Sequence, residues 1–130
     1  MAPEHTKGFV ISLDPVHRIV RSKAWGCWHA EFVQKYENAF LEKIEEVCDS
    51  VEDWHVLMNV QEFSPASAEV QRVVHQLLMV AQQMGMRKLA CLGDQDTIQL
   101  LAGEHFSARD SHRYLWAASE QEAVHWLMGK

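Results

Sequence analysis

Cys27-Trp28-His29 sets a thiol and an imidazole two positions apart, the two groups that a thiol–imidazole nucleophile requires. Such a pair also needs an orienting third group and a thiol with a lowered pKa. Close neighbours at a strand–helix junction seldom aim both side chains at one reacting atom, so packing is the expected role and no catalytic residue is assigned. Glu122-x-x-His125 has the i, i+3 spacing of a helical carboxylate–imidazole pair. A dimetal site, however, draws several carboxylates from more than one helix. His105 and His112 flank a loop at no recognised ligand spacing, and His75 lies beside an apolar helical stripe as a boundary residue. Neither a metal nor a cofactor is expected. Gly93-Asp94-Gln95-Asp96 follows a strand and opens a helix, the place where phosphates bind in open α/β sheets. One glycine and two acids would repel a phosphate there, so the segment reads as a helix cap. Walker, dinucleotide-binding and Gly-x-Ser-x-Gly patterns are missing from the sequence.

Composition narrows the function classes. The 130 residues suit one domain over positions 1–130, and 48% hydrophobic with 23% charged residues is ordinary for a globular chain. A formal net charge of −6 argues against a nucleic-acid backbone or an anionic membrane surface as the main partner. No apolar run approaches the roughly 20 residues that span a bilayer, and the first residues lack the apolar core of a signal peptide. Cys27, Cys48 and Cys91 are odd in number and widely spaced, which fits free thiols in the cytoplasm.

The elements that must position these residues follow from hydrophobic periodicity. Phe9–Leu13 and Arg18–Trp25 read as strands joined by the turn Asp14-Pro15-Val16-His17, an antiparallel hairpin closed by Gly26. From Trp28 to about Val47, apolar residues at three- and four-residue steps predict a helix. Trp54–Val60 is a nearly continuous apolar strand, as expected of one covered on both faces. Ser64-Pro65 reads as a helix start, serine capping the free amides and proline taking the first helical position. That helix runs to Gly85. Met86–Asp94 is a buried strand leading into a short helix that carries Ile98, Leu100 and Leu101. His112–Trp116 is a last strand, and Ser119 with Glu122 forms a capping box for a final helix to Met128. The order ββαβαβαβα implies an α/β fold, a mixed and mostly parallel five-stranded sheet with four helices.

The closing stretch, with a strand, Gly93-Asp94, a short helix, an aromatic strand and then Glu122-Ala123-Val124-His125-Trp126-Leu127, resembles the end of SpoIIAA-like proteins of the STAS superfamily, related to Sec14-like folds. The opening hairpin and long helix are similar to that family too, so the likeness covers most of the chain. It implies a SpoIIAA-like fold and a non-enzymatic regulatory or interaction module. In phosphoregulated members a serine at the turn from the central strand into the next helix is modified by a kinase and read by a partner. The corresponding turn is Glu62-Phe63-Ser64-Pro65-Ala66-Ser67, in place of the usual Asp-Ser-Ser-Gly. Ser64 therefore has two readings, an N-cap from its residues and a phosphorylation site from the resemblance.

Five tryptophans are many for this length. Trp54 and Trp126 fit core positions, whereas Trp25, Trp28 and Trp116 fall at element ends or in a half-exposed strand, where aromatic residues line grooves. The expected binding region is Phe63, Ser64 and Ser67, with Trp25 and Trp28 beside them, and its occupant a partner protein or a small apolar or anionic ligand. The related Sec14-like fold supplies the alternative of a lipid carrier, and a Cys/His-dependent enzyme stands third. Exposed sheet edges make a homodimer the expected assembly.

Overall fold

The computed structural model describes residues 7–50, 52–65, 67–102 and 113–129. Strands β1 (Gly8–Asp14) and β2 (Ile19–Trp28) form the hairpin, followed by α1 (Ala30–Ser50), β3 (Trp54–Pro65), α2 (Ala68–Gln83), β4 (Met86–Leu92), α3 (Gln95–Ala102), β5 (Tyr114–Ala117) and α4 (Glu120–Met128). The five strands lie in the order β1-β2-β3-β4-β5, with β1 antiparallel to β2 and every other neighbour parallel. This is the expected mixed sheet with four helices.

At the hairpin, Asp14 accepts hydrogen bonds from the His17 backbone (3.1 Å) and from Arg21 (3.1 Å), and its other contact is to His17 Nδ1 at 2.8 Å. The His17 contact is the largest of the influences that hold the Asp14 carboxyl down at about 2.

The sheet has two differently covered faces. Val20, Ala24, Trp28, Val56, Met58, Val60, Leu89 and Cys91 pack with the apolar faces of α1 and α2 and with Ile98 and Leu101 of α3. Ile19, Leu57, Ala90, Leu92 and Ala117 form a smaller cluster with Ala123 and Leu127 of α4. Because β3 contributes to both faces, it is buried without a break from Trp54 to Met58, with His55 the one polar residue in the run. Among the described residues, no helix is long and apolar enough to cross a membrane.

Three boundaries differ from expectation. Gly26 does not end β2: it takes φ +91° within the strand, and the strand continues to Trp28. Trp28 therefore belongs to the sheet, and α1 begins at Ala30. β3 likewise runs past Val60 to Pro65, because β2 gives it a partner that far, Cys27 opposite Ser64 and Trp28 opposite Pro65. An extra residue in β3 between Asn59 and Glu62 resets the alternation, so Phe63 turns into the core. Ser64 is consequently a strand residue. The cap of α2 is Ser67, whose hydroxyl accepts from the Val70 amide at 3.3 Å.

Candidate functional site

The parallel strands end at one rim of the sheet, and the expected binding residues are distributed over it. Trp28 is fully buried at the centre of an aromatic cluster, with ring centroids 4.8 Å from Phe63, 5.0 Å from Phe32, 5.1 Å from Tyr36 and 5.9 Å from Phe9, all edge-on. Its indole N–H donates to the Trp25 carbonyl at 3.0 Å, which satisfies the polar handle that a buried tryptophan carries. Tyr36 and Ser22 share a buried hydroxyl hydrogen bond of 2.6 Å. Trp28 and Phe63 thus build the rim from below instead of presenting rings to solvent. Ser64 is exposed beside Cys27, which is exposed too. Trp25 is half-buried and lies over Gly8, where an added Cβ would meet the indole Cζ2 at 2.5 Å.

Beyond β3 the rim opens into a cleft of about 440 Å³ lined by Gln61, Gly93, Asp94, Trp116, Ala117 and Ala118. Each wall has a local cause. Gly93 sits at φ +148° where β4 turns toward α3, and a Cβ there would come within 2.8 Å of Val60 Cγ2 and 3.1 Å of the Val60 backbone. Only glycine lets the turn pass this close to β3. Asp94 then caps α3, its carboxylate accepting from the Thr97 amide at 3.2 Å. Trp116 stands on the short edge strand β5 with 48% of its surface exposed, and its indole N–H donates to the Gly93 carbonyl at 2.8 Å. That bond fixes a large aromatic face beside an acid and an amide. Ser119 caps α4 by accepting from the Glu122 amide at 3.1 Å. The Glu122 carboxylate reaches back to the Ala118 amide at 2.8 Å, one residue earlier than the usual reciprocal bond.

The arrangement suits recognition: an aromatic plate, a carboxylate and backbone groups around an open concavity. Sequence reasoning placed Trp116 in a half-exposed strand but left it, with Gln61 and Asp94, outside the expected binding region. These residues come from three strand ends and converge only through the sheet order. Burial pushes the Cys91 thiol up to about 12 and also raises the Tyr114 phenol, which opposes nucleophile formation at either group. The Glu122 carboxylate is engaged in capping α4. Among the described residues, no three His, Cys, Asp or Glu side chains are grouped to hold a metal. His75 is half-buried with Nδ1 3.3 Å from the Leu101 carbonyl, as a boundary histidine. His105 and His112 lie outside the described residues.

No protein-family model matches the sequence, and no curated protein matches it. Among solved structures, the chain is similar to an uncharacterised protein of the DUF3478 family with a SpoIIAA-like fold, from Shewanella loihica PV-4. The TM-score is 0.64 over 98% of each chain, at 13% sequence identity. Strand order, crossover helices and this superposition agree, and the chain has a SpoIIAA-like fold.

Proposed function

We propose that this chain is a non-enzymatic recognition module that binds a partner protein or a small ligand at the carboxyl-terminal rim of its sheet. The observation that carries the reading is Trp116, half-exposed and fixed by its bond to Gly93 above an open cleft of about 440 Å³. An immobilised tryptophan presents a large contact area at little further entropic cost, which is why such residues anchor interfaces. The carboxyl-terminal part of β3, which leads into the β3–α2 turn, adjoins this cleft through Gln61. Its exposed hydroxyl, Ser64, is the one open to a kinase, while the Ser67 hydroxyl already caps α2. Phosphorylation at Ser64 would add a dianion on the rim without uncapping the helix. Free Cys27, Cys48 and Cys91 favour a reducing compartment such as the cytoplasm. A lipid carrier finds less support, because Trp28, Tyr36, Phe40 and Phe63 fill the space between sheet and helices.

A native mass spectrum of the protein purified from its own host tests the reading. The expected result is a non-covalent adduct, partner or ligand, that disappears in a folded Trp116→Ala variant. An adduct retained in full by Trp116→Ala, or bare protein from every growth condition, overturns the assignment of this cleft.

A further inference from the structure

A second concavity lies at the opposite rim, where β2, β3 and β4 begin. Its volume is about 380 Å³, and its walls are Arg18, Asp53, His55, Arg87 and Lys88, closed by Leu127 to Gly129 at the end of α4. Three cations face one carboxylate in a chain whose formal net charge is −6. The carboxylate, Asp53, is bound by Arg87 at 2.9 Å. Lys88 donates to the Trp126 and Gly129 carbonyls at 3.2 and 3.0 Å, holding the ammonium at the pocket wall and offsetting the negative end of the α4 dipole. The Arg18 guanidinium has no partner among the described residues. Its backbone is fixed instead, because the Arg18 carbonyl accepts from the His55 amide at 2.8 Å.

The floor of the pocket holds an unfinished polar group. His55 is only 7% exposed, and its Nδ1 has no hydrogen-bond partner among the described residues. Buried polar atoms are nearly always paired, so an orphan beneath a charged pocket points to a missing partner. Arg18 and Asp53 are also the two non-glycine residues of the described chain with left-handed backbone, at φ 60° and 56°. Unfavourable backbone of this kind is concentrated where a chain holds groups in a required position. Neither His55 nor this pocket belongs to the cleft at the carboxyl-terminal rim.

We infer that this pocket binds a small phosphate-bearing molecule, with the Arg18 guanidinium as its primary contact, Arg87 and Lys88 flanking it, and His55 at its floor. After subtraction of Asp53 the walls carry two positive charges in excess, matching a phosphate dianion, and arginine offers the forked geometry that phosphate oxygens accept. The volume admits a small metabolite.

The probe is inorganic phosphate, titrated into the intact protein at neutral pH and followed by amide and imidazole nitrogen chemical shifts. Saturable shifts confined to residues around Arg18, His55 and Lys88 are expected. Arg18→Gln and Arg87→Gln should each weaken binding about tenfold, whereas Lys23→Gln, an exposed lysine on β2 outside the pocket, should leave it unchanged. Two pocket variants keep the test decisive if one fails to fold. Shifts that never saturate, shifts spread over all surface cations, or equal affinity in the folded arginine variants would overturn the site. Co-sedimentation with phosphatidylglycerol vesicles without any response to free phosphate would overturn it as well, by assigning the cations to a lipid headgroup.

Discussion

Acid should destabilise this protein through His55 before it protonates most carboxylates, and the size of the effect can be worked from the pocket. His55 is buried at the start of β3; burial, reinforced by the positive charges of Lys88, Arg18 and Arg87, lowers its pKa from 6.5 to about 4, with Asp53 opposing. The folded protein therefore binds a proton at this site less readily than the unfolded chain. The stability linked to this difference is fully present above pH 6.5 and is lost as pH falls through the interval down to about 4. At a pH of about 4.5 roughly three quarters of a proton separates the two states, and the accumulated loss is about 2–3 kcal/mol. That is a large part of the margin of a typical domain. Urea unfolding at half-unit steps between neutral and acid pH measures the slope directly. In His55→Leu, which puts an apolar side chain of similar size in its place and removes the titration, the slope over this interval should flatten by about 1 kcal/mol per pH unit. Equal slopes in the two proteins would refute the argument that burial keeps this imidazole neutral.

Other expectations follow from the rim and the core. Trp28→Ala should cost about 3–5 kcal/mol in urea unfolding, because it empties the centre of the aromatic cluster, while the exposed Trp116→Ala should cost less than about 1 kcal/mol. Ser67→Ala should destabilise by about 1 kcal/mol through loss of the α2 cap, and Ser64→Ala should be nearly neutral; the reverse order would restore Ser64 as the cap. Gly93→Ala combines a left-handed backbone with a contact too close to Val60, so it should cost at least about 2 kcal/mol and change Trp116 fluorescence as the Gly93 carbonyl moves.

The element order was legible because each helix keeps an apolar stripe and the strands β3 and β4 carry largely apolar runs. Val33, Tyr36, Phe40, Ile44 and Val47 are all buried as their spacing predicts, and the Ser119 cap of α4 forms as its sequence suggests. Boundaries failed where pairing outweighed local signals. Gly26 looked like a stop and Ser64-Pro65 like a helix start, yet β2 and β3 pair with each other through both. Propensity acts over a few residues, whereas a parallel partner supplies hydrogen bonds at every second position, so tertiary context prevailed. Both concavities were harder to see for a related reason. Gln61, Gly93 and Trp116 are separated by long stretches of chain, as are Arg18, His55 and Lys88, and only the sheet order brings either set together. Inside the apolar run Trp54–Val60, His55 gave no sign that its neighbours across the sheet would be cations.

Replacing Gln61, on the cleft wall facing Trp116, in the host by a photo-crosslinking phenylalanine derivative, with parallel replacements at exposed Leu100 and Val16, tests the central claim most directly. The account predicts a discrete adduct from position 61 and none from the two controls. Adducts at the control positions with none at 61 would contradict a recognition site at this rim.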